Sequence, residues 1–345
     1  MRQMNPSLAA AFGRIISRAV KERNSDAPTP CLFLHLITNR CMCNCQSCLW
    51  KNNAWEDVPF EDLKRFYREA AEQGFLGTAL SGGEPFLRQD LPDLVRFIKE
   101  EAGLAILLFN TGWLLEQRMD EVLPYIDMLL FSLDSANPER HDRMRGLDGL
   151  FDRLMRALDL VKKKYPGLPV HLNCCVQKGI ENEIDDLIKL TQEKDLRISF
   201  DVITEYRHGA GDAKFAVTDM GLPLPELRRI CGYLLERKIA GAPIINSAMY
   251  FQYFMDGKPG YRCHFPKIVV QLDGRGNIED CLNLDQPIAN LRETPLKEIM
   301  ALPRFRQLRR DTEGCCSCNS PTMVDLSNVW ENPKLIFEQG GITVG

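Results

Sequence analysis

The sequence predicts an α/β fold built on a parallel sheet, and three observations carry the prediction. Apolar runs of strand length recur along the first two thirds of the chain, amphipathic helical stretches separate them, and no uninterrupted apolar run is long enough to span a bilayer. Strands and helices alternating in this way describe a doubly wound open sheet or a barrel. A chain of 345 residues, 45% apolar, exceeds one ordinary domain and supports a sizeable core.

The chain opens on MRQMNPSLAAAFGRIISRAVKERN, which lacks the compact apolar region and small-residue cleavage site of a secretory signal, so a cytoplasmic location is expected. Residues 8–23 set Leu8, Phe12, Ile15, Ile16 and Val20 against Arg14, Arg18, Lys21 and Arg23, a basic amphipathic helix assigned to residues 1–27. It is expected to dock on the protein's own body, with an anionic membrane surface as the alternative. The runs CLFLHLIT (31–38), GTALSG (77–82), LAILLFNTG (104–112), MLLFSLD (128–134), PVHLNCCVQ (169–177) and RISFDVI (197–203) read as buried strands. Between them, Leu63, Phe66, Tyr67 and Ala70 share one face of a helix over 61–73, and Leu150, Leu154, Leu158 and Val161 share one over 149–164. Glycines at 209, 211 and 221 mark a boundary over 204–222, followed by a helix carrying Leu227, Ile230, Cys231 and Leu234. From Cys263 the pattern changes: IVVQLDGRGNIEDCLNL is two short strands about a glycine turn, and a helix over 294–310 follows.

A net charge of −4 gives no broad footprint for nucleic acid, and none is expected as a partner. Thirteen cysteines in a reducing compartment suit metal or cluster binding better than disulfides, and their odd number argues against a fully paired framework. Cys41, Cys45 and Cys48 form C-x3-C-x2-C directly after the first strand. Three thiolates so spaced can wrap one face of a cubane cluster and leave one iron open, or be buried or zinc-binding cysteines. Cys43 does not fit the three-ligand pattern and is read as a non-ligand. One βα unit later stands Ser81-Gly82-Gly83-Glu84-Pro85, where glycines admit a ligand to the backbone and a carboxylate with exposed carbonyls can receive an ammonium group. Near the C-terminus, a hairpin with Gly276-x4-Cys281 returns Cys281 toward Cys263, and Cys315 with Cys318 supplies a C-x2-C pair. These four thiolates suit a cluster, or tetrahedral zinc as the lesser alternative, and Cys316 could replace either neighbour. Cys31, Cys174, Cys175 and Cys231 read as core residues.

Jointly, these motifs over residues 31–320 resemble the radical S-adenosylmethionine (SAM) superfamily. The resemblance implies a partial (β/α)6 TIM-like barrel over 28–215, a bridging helical region over 216–260, and an auxiliary-cluster domain over 261–345 that resembles the SPASM extension in its shorter, single-cluster Twitch form. It implies SAM as cofactor, a [4Fe-4S] cluster on Cys41, Cys45 and Cys48, and an auxiliary [4Fe-4S] cluster on Cys263, Cys281, Cys315 and Cys318. Gly82, Gly83 and Glu84 then hold the SAM amino group, and Ser132 with Arg145 approach its carboxylate and ribose, Arg143 competing for the last role. Two departures stand out: Ser47 replaces the aromatic residue usual before the third cysteine, leaving the adenine to Leu49, Trp50 or a later strand, and Asn110-Thr111-Gly112 replaces Thr-Asn-Gly. The activity implied is reductive SAM cleavage and hydrogen abstraction from a peptide, a protein or a small biosynthetic intermediate, with flavodoxin or ferredoxin as electron donor. Gln177, Asp201, Glu205, Tyr206, Arg207 and His208 are candidates to line the barrel mouth. The contrasting class is a non-catalytic iron–sulfur carrier, redox sensor or zinc-stabilised binding protein, which has no reason to place a Gly-Gly-Glu loop beside its cluster.

Overall fold

The computed structural model describes residues 13–333 apart from 15–16, 19, 23–24, 26–28, 49, 204–205, 209–213, 217, 258–260, 283–285 and 316–317, with backbone alone at 206–208 and 214–216. The six expected strands form a parallel run in sequence order: β1 (Leu32–Leu36), β2 (Gly77–Ser81), β3 (Ala105–Asn110), β4 (Met128–Ser132), β5 (Val170–Val176) and β6 (Arg197–Val202). Helices α1 (Phe60–Glu72), α2 (Leu91–Arg96), α3 (Leu115–Val122), α4 (Pro138–Arg145), α5 (Leu150–Lys164) and α6 (Ile184–Glu193) connect them, giving the partial barrel. Beyond β6 lie a separate antiparallel ribbon, β7 (Tyr206–His208) and β8 (Lys214–Ala216), then α7 (Leu224–Ile239), α8 (Ala248–Met255) and α9 (Phe265–Ile268). Strand β9 (Val269–Leu272) returns to pair in parallel with β1, Leu32 opposite Val269 and His35 opposite Leu272. The short β10 (Asn277–Ile278) and β11 (Ala289–Asn290) extend this edge antiparallel, and α10 (Leu296–Ala301), α11 (Pro303–Asp311) and α12 (Pro321–Glu331) follow.

The outer faces of the strands meet the helices in one continuous core. Helix α1 buries Leu63, Phe66, Tyr67 and Ala70, the face its periodicity predicts. Against it, Phe33 of β1 stacks on Phe75 with ring centroids 3.9 Å apart and meets Phe66 edge-on at 4.9 Å. His35 Nδ1 lies 2.7 Å from the Tyr67 hydroxyl; burial pushes this imidazole down to about 3, so it stays neutral. A separate apolar group, Leu107, Met128 and Leu130 with Ala79 and Phe109, occupies the opposite face of the sheet.

Several elements differ from expectation for local reasons. The helix expected over 294–310 is two, because Pro303 cannot donate to the turn before it and starts a new helix instead. The boundary over 204–222 contains the β7–β8 ribbon. Helix α8, AMYFQYFM, is apolar nearly all round and buries Tyr250, Phe251, Tyr253 and Phe254, so it has no polar face to announce a helix. Most of the basic N-terminal helix lies outside the described residues, as do Leu49, Glu205 and Cys316. No helix among the described residues is long and apolar enough to cross a membrane.

Because Phe33 is 1% exposed between two rings, Phe33→Ala leaves a cavity that α1 cannot fill. The expected cost is about 3–5 kcal/mol, read as a lower urea midpoint at unchanged m-value.

Candidate active site

The site is assembled where the C-terminal ends of the strands meet the cysteine loop. Two backbone hydrogen bonds join that loop to the turn after β2: Gly83 N–H donates to Thr38 O and Glu84 N–H donates to Arg40 O, both at 2.8 Å. The approach is so close that side chains are impossible. A Cβ on Gly82 would stand 2.2 Å from Thr38 O, and one on Gly83 2.1 Å from Arg40 O. Close backbone approach, and not flexibility, is the reason for two adjacent glycines here. On the loop's other flank the C-terminus of α4 makes a third contact, Asn44 N–H donating to Arg145 O at 2.8 Å.

Glu84 is buried, 1% exposed, and its carboxylate ties two loops together. One oxygen accepts from Phe86 N–H at 3.1 Å; the other accepts from the Thr111 N–H at 2.8 Å and the Thr111 hydroxyl at 2.6 Å. Burial raises its pKa, and the Thr111 and Phe86 hydrogen bonds oppose that rise. A carboxylate offers about four acceptor positions, so three are committed within the protein. Thr111 was the residue missed: its order within Asn110-Thr111-Gly112 was the available signal.

Sulfurs gather in the loop. Cys41 and Cys43 are buried against Leu150, with Cys45 partly buried beside them and Cys48 exposed at the rim. The Cys43 thiol hydrogen-bonds to the sulfurs of Cys41 and Cys45, which raises its own pKa and lowers both of theirs. That bond, with the Arg145 charge behind it, holds Cys45 down at about 6, the range in which a thiolate is ready to ligate. Arg145 Nε forms an ion pair with Asp134 Oδ2 at 2.7 Å; burial opposes its charge, but Asp134 and the sulfurs keep its pKa well above the usual value. Asp134 also accepts from Cys175 N–H at 2.9 Å. Arg143, the competing arginine, is exposed.

From Ser132, partly buried at the end of β4, a polar wall runs across β5 and β6. Ser132 stands opposite Asn173, Asn173 opposite Ser199, and Cys175 opposite Asp201. Asn173 Nδ2 donates to Asp201 Oδ2 at 3.2 Å, while Asp201 Oδ1 and the buried Gln177 Oε1 have no hydrogen-bond partner among the described residues. Burial pushes Asp201 up to about 7 despite Asn173. Tyr206, Arg207 and His208 lie on the β7–β8 ribbon, outside this wall's strands. Cys31, Cys174 and Cys231 are core residues; Cys175 is only partly buried, on the same strand face as Asn173.

The second cysteine set converges as well. Cys263 is 3% exposed among Phe265, Ile268, Val269, Leu326 and Trp330, with Cys315 packed beside it. Burial raises the Cys281 pKa first, and then Cys318, Cys263 and Cys315 each raise it further, so all four sulfurs share one electrostatic neighbourhood. Burial likewise pushes Cys263 up to about 11. Among the described residues, no three Cys, His, Asp or Glu side chains are drawn together tightly enough to hold one metal ion.

Residues 36–191 match the Radical SAM superfamily. The AdoMet-dependent heme synthase of Methanosarcina barkeri is 31% identical over 316 residues, 83% of this chain and 87% of that protein. A GTP 3',8-cyclase of Sulfurovum is 30% identical over 180 residues, half of this chain and 54% of the relative. Among solved structures, Streptococcus suis SuiB bound to precursor peptide SuiA superposes with a TM-score of 0.67 at 19% identity, covering 88% of this chain and 72% of SuiB, a likeness of fold. The chain belongs to the radical SAM superfamily. It is accordingly an enzyme that works with SAM and a [4Fe-4S] cluster on a partial barrel.

Asp201 provides a pH test of this wall. Its folded pKa of about 7 lies above the ordinary value, so its contribution to stability is greatest below the unfolded pKa near 3.8 and is lost as pH rises through 7. Asp201→Asn removes the titration. The variant should gain several degrees in melting temperature over the parent at pH 8 and little at pH 5.

Proposed function

We propose that this enzyme binds its [4Fe-4S] cluster through Cys41, Cys45 and Cys48, carries an auxiliary [4Fe-4S] cluster on Cys263, Cys281, Cys315 and Cys318, and abstracts hydrogen from a peptide, a protein or a small biosynthetic intermediate. The observation that carries the reading is the docking of the Gly82–Gly83–Glu84 turn on the cysteine loop, with the Cys41 and Cys45 thiols already shifted toward ionisation. Of the three N-terminal ligands, Cys41 and Cys45 are lowered toward the thiolate, while burial raises Cys48, as it raises Cys263 and Cys281 at the second site. Glycines without room for a Cβ bring the turn's backbone against the cysteine loop, and paired lowered thiols are the chemistry of a cluster site.

A cluster held by Cys41, Cys45 and Cys48 together with SAM would supply one-electron chemistry, reductive SAM cleavage coupled to hydrogen abstraction from a substrate carbon, with the electron coming from a donor such as flavodoxin or ferredoxin. The protein's part is placement and exclusion. Glu84 fixes the turn that faces the SAM amino group and keeps an acceptor position for it. Ser132 and Arg145 would approach the SAM carboxylate and ribose, with Arg145 oriented by Asp134. The β5–β6 wall meets the substrate. Its described charge is the acid of Asp201, and its unpartnered atoms on Asp201 and Gln177 are acceptors, which supports a substrate presenting hydrogen-bond donors there. The names of the relatives span a heme synthase, GTP cyclases and peptide cyclases.

Each of Cys41→Ala, Cys45→Ala and Cys48→Ala should abolish 5'-deoxyadenosine formation in anaerobically reconstituted protein incubated with SAM and dithionite. Cys43→Ala should keep its cluster; loss of iron in that variant alone would shift the ligand register. Glu84→Gln should retain iron and bind SAM more weakly, through loss of a charge-assisted hydrogen bond.

Metal analysis tests the second site. Two four-iron clusters give about eight irons per chain, and removing the three N-terminal ligands should leave about four with a cubane spectrum. One iron cluster with one tightly bound zinc, and a colourless triple variant, would replace the auxiliary cluster by a structural zinc. Cys315→Ala with Cys318→Ala should lose product while retaining uncoupled SAM cleavage.

A further inference from the structure

The turn between β9 and β10 belongs to the C-terminal segment, yet it packs on the N-terminal cysteine loop. Parallel pairing of β9 with β1 brings it there, since residues 273–276 emerge beside the residues that follow β1. A Cβ on Gly274 would lie 2.2 Å from Asn39 Oδ1, 2.9 Å from Asn39 N and 3.0 Å from Thr38 C. Thr38 is thus pressed from two sides, by Gly274 and by Gly82.

Asn39 is the residue that closes the cysteine loop. Its Nδ2 donates to Trp50 O at 2.6 Å and its carbonyl accepts from Asn52 N–H at 2.8 Å, so it ties the loop's start to its end across all four cysteines. The hairpin grips the far end too. The Arg275 guanidinium lies over the Trp55 ring, 4.0 Å from its centroid, and a Cβ on Gly276 would stand 3.1 Å from Val58 Cγ2. The turn is itself rigid: Asp273 Oδ1 accepts from the N–H groups of Arg275 and Asn277, each at 2.9 Å.

We infer that the β9–β10 turn positions the radical SAM cysteine loop, with Gly274 and Arg275 as positioning residues, so that the cluster-binding loop takes its working shape only against the folded C-terminal segment. The inference rests on the radical SAM reading of the cysteine loop and is independent of which metal the C-terminal cysteines hold. A side chain at Gly274 collides first with Asn39 Oδ1, so the amide that donates to Trp50 O must move, and the tight contacts at Asn39 N and Thr38 C leave the backbone little room to absorb it. Arg275 is half exposed and its removal costs the fold little, yet it subtracts the contact with Trp55.

The test uses full-length Gly274→Ala and Arg275→Ala, with Gly167→Ala as control because a Cβ there meets nothing within 4 Å. In metal-free protein, hydrogen–deuterium exchange over residues 38–53 should accelerate in Gly274→Ala and, less, in Arg275→Ala, with β3–β5 unchanged. After reconstitution, 5'-deoxyadenosine formation should fall about tenfold or more in Gly274→Ala, the scale of an overpacked contact, and severalfold in Arg275→Ala. The SAM-induced change in the electron paramagnetic resonance spectrum of the reduced N-terminal cluster should weaken in parallel. Parental exchange over 38–53 together with parental SAM cleavage in both variants overturns the inference, as does acceleration spread evenly over the barrel, which is general destabilisation. Should the parent itself fail to cleave SAM, the enzymatic reading falls while the exchange measurement still decides whether the turn orders the loop.

Discussion

The structure depends on the contact between two stretches of backbone, Thr38–Arg40 and Gly82–Glu84. Two hydrogen bonds hold them, and their separation leaves no space for a Cβ on either glycine. Everything that gives the site its chemistry is referred to that contact. It sets the cysteine loop over the ends of β1 and β2 and turns Glu84 inward, where Thr111 and Phe86 hold the carboxylate. The burial this entails is costly for a carboxylate. Three hydrogen bonds offset the cost, and so the loops after β2 and β3 cannot move independently.

Charge at the site is arranged by a chain of neighbours. Asp134 holds Arg145, Arg145 acts on Cys45, and Cys43 shares its proton with the sulfurs on both sides. A buried cation beside thiols stabilises their ionised form, while Asp134 keeps the cation from being an uncompensated charge. The same aspartate fixes the backbone of Cys175, the first residue of the polar wall beyond it. The cysteine loop and the wall therefore share one electrostatic support. At the far end of the wall, Asp201 has no such cation among its described neighbours, and burial acts on it with little opposition.

How much of this was legible in the sequence follows from which physical signal each part emits. Buried parallel strands are short apolar runs, and all six appear within two residues of their expected ends because the runs stop where strands meet solvent or loop. The Cys41, Cys45 and Cys48 spacing and the Gly82-Gly83-Glu84 turn are local signals, and the turn's backbone is hydrogen-bonded to residues 38 and 40 just before the cysteines. Helix α8 was hidden because nearly every face of it is apolar, and the division at Pro303 was hidden inside an otherwise periodic stretch. The roles of Thr111, Asp134 and Asn39 arise from contacts between segments distant in sequence. Glu84 and Thr111 are 27 positions apart, and the stretch between them carries no mark of the hydrogen bonds that join them.

An open six-stranded barrel leaves two edges, and this chain uses its C-terminal third on both. At β1, strand β9 adds itself in parallel and carries the hairpin that reaches the cysteine loop. At β6, Asn246 exchanges two hydrogen bonds with the backbone of Phe200, as a neighbouring strand would, and the Tyr250 hydroxyl accepts from Val202 N–H. That hydroxyl in turn donates to Asn319 O, and Asn319 Nδ2 donates to Ile203 O, so the residue after Cys318 is fastened to the strand that bears Asp201. Unpaired strand edges are otherwise exposed to wrong pairing, which gives the extension a structural reason independent of metal. One segment thus covers both edges: Cys263 and Cys315 pack with Cys31 and Val269 beside β1 and β9, while Cys318 directly precedes the Asn319 that bonds to Ile203 after β6.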